Sequence, residues 1–230
     1  MVGIIGAMEE EVRELIEDMT ECEMQERASM KFYKGMLYGK EAVVVQSGIG
    51  KVNAAICTQI LADFYQVDQL INTGVAGSLD AEINIGDIVV STDAVEHDMD
   101  VSALGDPVGQ VPRMDVFAFP ADEELVKKAV AANEKANPDI RTFTGRVASG
   151  DQFISAKEVK ERIVENFGAK CAEMEGAAIA HGAYLNKIPC VIIRAISDKA
   201  DGSAQVDYPT FEKQAIVHGV KLMKELLPTL

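Results

Sequence analysis

Tryptophan is absent from this 230-residue chain, and only three histidines occur, His97, His181 and His218. No two of them have the helical spacing that a metal site uses, so we expect no bound metal, although residues 97–100 read His-Asp-Met-Asp. The four cysteines form no C-x-x-C pair. Their arrangement favours reduced thiols in a cytoplasmic protein over a disulfide framework.

Positive charge is also scarce, because 22 Lys and Arg face 37 Asp and Glu, for a formal net charge of -15. Such a surface disfavours nucleic acid or an anionic membrane as a partner, and its simplest consequence is solubility. No apolar run approaches the roughly 20 residues that span a bilayer. The first residues lack a basic leader and reach an acidic run at Glu9, so we expect no signal peptide.

Nucleotide-binding motifs are incomplete. Residues 48–51 read Gly-Ile-Gly-Lys, but Val45 stands where a P-loop needs glycine, and Val52 stands where it needs Ser or Thr. A dinucleotide fingerprint would need glycine at Asn53. The glycines therefore indicate either a tight strand-to-helix turn or a close approach of the backbone to a small ligand. No Gly-x-Ser-x-Gly elbow occurs, so covalent catalysis has no support.

Short β-branched runs alternate with amphipathic helical segments along the whole chain. The predicted strands are 2–8, 31–34, 35–38, 42–46, 69–72, 87–95, 143–149 and 190–195, and the predicted helices are 9–19, 52–65, 123–136, 157–166, 174–185 and 208–227. Residues 97–118 predict a long functional loop. Without a linker, we expect a single domain over 1–230, with a mostly parallel sheet, helices on both faces and an antiparallel hairpin near 31–46.

Ligands of such folds collect outside the carboxyl ends of the strands. The segments that begin at Ala7, Ser47, Thr73, Ser149 and Ser197 should all lie at that end. Acidic side chains follow several of these strands. Since buried carboxylates are costly, their presence predicts a site that uses negative charge and proton transfer.

The first acidic run, Glu9-Glu10-Glu11, opens a predicted helix. Acids in the first turn complement the helix dipole, which accounts for Glu9 and Glu10 without any functional role. Glu11 lies beside Val12, the first residue of the apolar face, and could point into the cleft above the first strand.

The other acids lie late in the chain. Glu173 and Glu175 open a helix rich in small apolar residues, where they either complement the dipole or bind something, with Arg194 as a candidate partner. Asp198 follows an apolar strand and could be an ordinary N-cap or loop residue. Ser197 could instead orient it by a hydrogen bond.

Six motifs carry a family resemblance: Gly-Ala-Met-Glu-Glu-Glu at 6–11, Ser-Gly-Ile-Gly-Lys at 47–51, Asn-Thr-Gly-Val-Ala-Gly at 72–77, Ser-Gly-Asp-Gln-Phe at 149–153, Glu-Met-Glu-Gly at 173–176 and Arg-Ala-Ile-Ser-Asp at 194–198. In order and spacing the chain resembles the bacterial 5′-methylthioadenosine/S-adenosylhomocysteine nucleosidases, a hydrolytic branch of the nucleoside phosphorylase superfamily. The resemblance implies a three-layer α/β/α sandwich with a mixed central sheet, usually a homodimer, without metal or organic cofactor.

The same resemblance implies that water cleaves the bond between adenine and ribose in 5′-methylthioadenosine, S-adenosylhomocysteine and 5′-deoxyadenosine. Asp198 would protonate the five-membered ring of the departing base. Glu11 would activate the water, and Glu175 would bind ribose hydroxyls and favour a positively charged sugar. Ser197 and Arg194 would hold the acid and its neighbour in place.

Binding residues are implied as well. Met174 would pack on ribose, Phe153 would stack on adenine, and the backbone of Ile154 would read the edge of the base. The other implied substrate-binding residues are Met8, Ile49, Val101, Leu104, Pro112 and Tyr208 around the 5′-alkylthio group, together with Val75, Ala76, Gly77 and Glu173. Of these, Val101, Leu104 and Pro112 would lie near the partner's site in a homodimer.

Three residues depart from the family pattern. Leu104 and Tyr208 stand where relatives often carry phenylalanine, and Val75 stands where some carry serine. These differences could change the preference among thioether substrates. Two other functions remain open: a phosphate-dependent nucleoside phosphorylase, and a non-catalytic nucleoside-binding protein.

Overall fold

The computed structural model describes residues 1–230. Its strands are β1 Val2–Gly6, β2 Thr20–Arg27, β3 Met30–Leu37, β4 Lys40–Gln46, β5 Gln69–Ser78, β6 Ile88–Glu96, β7 Phe119–Pro120, β8 Thr142–Ser149, β9 Cys171–Glu173 and β10 Cys190–Asp198. Its helices are α1 Glu9–Glu17, α2 Lys51–Asp63, α3 Glu123–Ala136, α4 Lys157–Phe167, α5 Gly176–Asn186 and α6 Ala204–Leu226. No helix is both long and apolar enough to cross a membrane.

The sheet is mixed. Parallel pairings join β1 to β4 and β5, β10 to β5, and β8 to β6 and β9. Antiparallel pairings join β3 to β2 and β4, β6 to β10 and β7, and β5 to β9. The mixed sheet is confirmed, but antiparallel pairing is more extensive than the alternation of elements predicted. The long β5 pairs with β1, β10 and β9, so it is the strand around which the sheet is organised.

Side chains of the central strands point alternately to the two faces of the sheet, and each face packs against its own layer of helices. In β1, Ile4 belongs to a core cluster shared with α1, α3 and α6, whereas Ile5 belongs to one shared with α2 and α5. Successive side chains of a strand point to opposite faces, and both faces are covered here. This explains why β1 and residues 42–45 of β4 are continuously apolar. The prediction of a sheet with helices on both sides is confirmed.

Three strands were not predicted from the sequence: β2, β9 and the two-residue β7. Strand β2, Thr20–Arg27, is rich in glutamate and almost entirely exposed, because it forms the edge of the sheet and pairs with β3 alone. Charged residues on an edge strand discourage pairing with another chain, so its lack of apolar alternation has a physical reason. Strand β9 has only three residues, too few to give a periodic signal.

Several predicted boundaries were wrong. Residues 73–77 were expected in a loop, but β5 continues through Ser78 because it stays paired with β10 up to Gly77 and then pairs with β9. Helix α6 begins at Ala204, before the predicted start at residue 208, and contains Pro209 in its second turn. Pro209 is the sixth residue of this helix and lies past the first turn, so the helix lacks one backbone hydrogen bond there, to the carbonyl of Gln205.

Glycine in β5 allows side chains to approach the strand closely. A Cβ atom at Gly74 would overlap Glu11 Oε1 and would lie 2.8 Å from Arg194 Nη1. A Cβ atom at Gly77 would lie 2.7 Å from Asp198 Oδ1. Two predicted functional carboxylates therefore lie against the bare backbone of one strand.

We expect Gly74→Ala to lower the free energy of unfolding by about 1–3 kcal/mol, because the new methyl group has no space beside Glu11 and Arg194. Gly219→Ala in α6 is the matched control. There a new Cβ atom would lie 3.6 Å from its nearest neighbour, Thr73 Oγ1, and alanine in a helix interior should stabilise by about 0.5–1 kcal/mol. Urea unfolding of both variants measures the difference; equal stabilities would show that Gly74 is not needed for this close approach.

Candidate active site

A cavity of about 340 Å³ opens at the carboxyl ends of β1, β5 and β10. Its walls combine apolar and acidic side chains, an arrangement typical of small-molecule sites. The lining residues are Ala7, Met8, Glu11, Ile49, Val75, Ala76, Gly77, Phe153, Ala172, Glu173, Met174, Glu175, Ser197, Asp198 and Tyr208. A small adjoining recess includes Ile154.

Glu11 in the first turn of α1 turns back toward the end of β1. Its Oε2 accepts hydrogen bonds from the amides of Ala7 (2.7 Å) and Met8 (3.0 Å), and its Oε1 accepts one from Val75 in β5 (3.0 Å). Burial raises its pKa above the ordinary value, although the charge of Arg194 and the three amides act in the opposite direction. The side chain is thus a fixed, buried carboxyl group with raised basicity.

A buried ion pair lies beneath the cavity. Arg194 Nη2 donates to Glu173 Oε2 and to Asn72 Oδ1. Glu173 Oε2 also accepts from the amide of Gly176 (2.7 Å), and its Oε1 accepts from Ser149 Oγ. Breaking a buried pair of this kind by removing one partner costs several kcal/mol, typically about 3–5, because a charge is left uncompensated.

Asn72 and Ser149 had no predicted role in the site. Both are fully buried polar residues; Asn72 lies in the first half of β5, and Ser149 is the last residue of β8. Their only sequence signal is a polar residue at the end of an apolar run. Their partners depend on how distant strands pair, which the sequence pattern does not reveal.

Glu175 precedes α5, which begins at Gly176 and not at residue 174 as predicted, because Glu173 accepts the first amides of this turn. Glu175 Oε1 accepts a hydrogen bond from the amide of Gly50 (2.8 Å). Burial, followed by the charge of Glu173, raises the pKa of Glu175 to about 7. The glycine turn after β4 therefore contacts an acid across the cavity.

Asp198 is the last residue of β10, and is not in a loop as one reading of the sequence allowed. Its Oδ1 accepts from the amide of Ala200 (2.8 Å), and its Oδ2 accepts from Ser197 Oγ (2.9 Å). Burial raises its pKa, against the opposing effects of these two donors. Arg194 bonds to Glu173 and Asn72 and makes no hydrogen bond to Asp198.

Two aromatic rings form one side of the cavity. Phe153 and Tyr208 meet edge to face, with ring centroids 5.8 Å apart and an interplanar angle of 81°. Phe153 is 49% exposed, which places it at the cavity mouth. An exposed ring beside an opening leaves its face free for another planar group.

Most of the predicted site residues lie in or directly beneath this cavity, but three do not. Val101, Leu104 and Pro112 are absent from its walls, and Leu104 is 85% exposed. Conversely, Ala7 and Ala172 line the cavity without having been predicted. Small residues of this kind give no chemical signal in a sequence, since they contribute space and backbone only.

The electrostatics of the cavity disfavour an anion. Four lining residues are acidic, Glu11, Glu173, Glu175 and Asp198, and none is Lys or Arg. The amides of Ala7, Met8, Val75 and Gly50 could cradle an anion, but carboxylates already occupy them. No group of three or more metal-binding side chains is present. The cavity therefore suits a neutral ligand that develops positive charge.

Known proteins of similar sequence bear a consistent name. The model of the Phosphorylase superfamily matches residues 1–228. The 5′-methylthioadenosine/S-adenosylhomocysteine nucleosidase of Staphylococcus carnosus (strain TM300) is 42% identical over 231 residues, covering 100% of both chains. That of Staphylococcus aureus (strain bovine RF122 / ET3-1) is 40% identical, again with 100% of both chains covered.

Solved structures agree. The Neisseria meningitidis nucleosidase in complex with methylthio-immucillin-A has a TM-score of 0.95 and 37% identity, covering 100% of this chain and 99% of its own. The Colwellia psychrerythraea 34H nucleosidase in complex with adenine has a TM-score of 0.95 and 40% identity, covering 100% and 95%. The futalosine hydrolase of Helicobacter pylori has a TM-score of 0.94 and 33% identity, covering 100% of this chain and 97% of its own. Sequence and fold together place this chain in the 5′-methylthioadenosine/S-adenosylhomocysteine nucleosidase family of the Phosphorylase superfamily.

Proposed function

We propose that this protein hydrolyses the N-glycosidic bond of 5′-methylthioadenosine and S-adenosylhomocysteine, and also of 5′-deoxyadenosine, to adenine and the matching thioribose or deoxyribose. The reaction would serve methionine salvage and the recycling of S-adenosylmethionine by-products. The observation that supports the proposal most strongly is that Glu11, Glu175 and Asp198 line a single, partly apolar cavity. No Lys or Arg lines this cavity to bind an anion. The family membership and the relatives' complexes agree with it.

Asp198 is the proposed general acid. A carboxyl group donates a proton near neutral pH only if its pKa is raised, and burial raises that of Asp198. Ser197 Oγ and the amide of Ala200 fix its two oxygens, so its direction is set before substrate binds. Protonation of the five-membered ring lets adenine leave without negative charge.

Glu11 is the proposed base for the attacking water. Three amides hold its carboxylate in one orientation, and burial strengthens it as a base. Glu175 is proposed to accept hydrogen bonds from ribose hydroxyls, since the amide of Gly50 occupies only its Oε1. Negative charge on both groups favours the positive charge that develops on the sugar as the bond stretches.

The remaining lining residues are proposed to hold the substrate. Phe153 would stack on adenine, the backbone of Ile154 would read its edge in the adjoining recess, and Met174 would pack on ribose. Met8, Ile49 and Tyr208 would surround the 5′-alkylthio group, whereas Val75, Ala76, Gly77 and Glu173 complete the wall.

A phosphate-dependent reaction fits this cavity poorly. Phosphate is bound by arginine or by free backbone amides, but no Lys or Arg lines the cavity, and the amides of Ala7, Met8 and Val75 already donate to Glu11. A carboxylate in that place repels phosphate, because both groups are anionic. A non-catalytic binding protein, the other alternative, has no need for buried acids with raised pKa such as Glu11 and Asp198.

We also propose a homodimer, with Val101, Leu104 and Pro112 near the partner's site. An exposed apolar stripe, formed by Val52 and Ile56 on α2 and by Phe64 directly after it, supports a subunit interface. A cytoplasmic location fits the four free cysteines, of which Cys22 is exposed.

Sedimentation equilibrium should give a mass twice that of the 24.8 kDa chain. Ile56→Lys should shift the protein toward monomer, because a charge at the centre of the stripe must be desolvated on association. Val217→Lys is the matched control, since Val217 (44%) and Ile56 (42%) are similarly exposed and Val217 lies on α6. A monomeric wild type would contradict the dimer.

Adenine release from 5′-methylthioadenosine in phosphate-free buffer tests the reaction. We expect release at the same rate with and without added phosphate, with free methylthioribose as the second product, because the anion-binding amides are occupied by Glu11. Release that requires phosphate and yields a sugar phosphate would instead establish a phosphorylase.

Asp198→Asn should abolish turnover and leave substrate binding largely intact, since the amide keeps the shape of the carboxyl group but cannot serve as the acid. Glu11→Gln is the companion variant and should lower kcat by ~10²–10⁴-fold, the usual worth of general-base assistance. Kinetic assays measure the loss of turnover in each variant, and equilibrium binding measures whether substrate affinity is kept. A near-normal kcat in either variant would remove that residue from the proposed mechanism.

A further inference from the structure

The Tyr208 hydroxyl adds a polar group to the apolar side of the cavity. It donates to Glu212 Oε1 (2.8 Å), one turn further along α6, and lies 3.3 Å from Met8 Sδ. Burial raises the pKa of Tyr208, and the hydrogen bond to Glu212 raises it further, so the phenol keeps its proton and remains the donor. A phenylalanine here would pack equally well, so the hydroxyl group has another use.

Glu212 is a carboxylate without a countercharge. No Lys, Arg or His lies within 4.0 Å of it, and Tyr208 is the single side chain that bonds to it. Its other oxygen has no protein donor. Glu212 therefore keeps a free acceptor oxygen one hydrogen bond away from Tyr208, which lines the cavity beside Met8.

We infer that Glu212, positioned by Tyr208, recognises a cationic group on the 5′ substituent of the substrate and so favours S-adenosylhomocysteine over 5′-methylthioadenosine. The inference rests on the proposed function, which directs the 5′ group toward Met8 and Tyr208. The homocysteinyl tail ends in an α-carbon that carries both an ammonium group and a carboxylate, so recognition by Glu212 requires the ammonium to face it and the carboxylate to point to solvent, whereas the methylthio group is neutral and has no such donor. An ammonium donor and an unpaired carboxylate form a charge-assisted hydrogen bond.

The measurement is the ratio of kcat/KM for S-adenosylhomocysteine to that for 5′-methylthioadenosine. We expect Glu212→Gln to lower this ratio about tenfold, the order expected for loss of one charge-assisted bond at a partly exposed position. The loss should lie in KM for S-adenosylhomocysteine, because the tail is remote from the bond that breaks. Tyr208→Phe should lower the ratio about threefold, since Glu212 then loses its orienting partner.

Glu225→Gln is the matched control. It removes an acid from the same helix roughly 20 Å further along, where Glu225 pairs with Lys135, and should leave the ratio unchanged. Two substrate analogues of opposite charge test the sign of the effect. For a 5′-(2-aminoethylthio) adenosine, kcat/KM should be lower in Glu212→Gln than in the wild type. For a 5′-(carboxymethylthio) adenosine, it should be higher. The wild-type preference should also weaken as salt is added.

The possible outcomes separate the inference from the function on which it rests. Equal losses on both substrates in Glu212→Gln would mean that Glu212 supports the packing of Tyr208 only, and would overturn the inference. An unchanged ratio would overturn it as well, with the nucleosidase function intact. If the wild type hydrolyses neither substrate, the proposed function fails, and the inference fails with it.

Discussion

The buried ion pair between Arg194 and Glu173 is the interaction on which the rest of the site depends. Arg194 is the sole fully buried cation in a region with four carboxyl groups. Its charge acts on Glu11 and Glu175 as well as on Glu173. Without it, two or more carboxylates would have to be buried uncompensated, at a cost that neutralises such groups. One arginine therefore makes an acidic cavity compatible with folding.

The compensation is incomplete. Arg194 is committed to Glu173 and Asn72, and the pKa values of Glu11, Glu175 and Asp198 remain raised. A carboxyl group whose pKa is raised by folding destabilises the folded state at pH values above that raised pKa. This cost disappears as the pH falls toward the pKa that the group has in the unfolded chain. The site thus gives up some stability near neutral pH in exchange for groups that can give and take protons there.

The sequence was most informative where chemistry and strand ends coincide. Glu11 and Asp198 follow apolar strands, so the chain pattern placed their segments at one end of the sheet, whereas the family resemblance was needed to bring Glu175 into the same site. Asn72 and Ser149 escaped notice because their role is set by the pairing of β5, β8 and β10. The polar edge strand β2 and the three-residue β9 had no periodicity to detect.

The arrangement of Glu11 bears on the proposed choice between water and phosphate. Backbone amides that lie free beside a cavity can bind an anion such as phosphate. Here the amides of Ala7, Met8 and Val75 donate to the carboxylate of Glu11, so they hold the proposed base in place. Gly74 makes this possible, since any side chain at that position would displace Glu11. In the proposed mechanism, water is therefore preferred to phosphate because a carboxylate occupies these backbone amides.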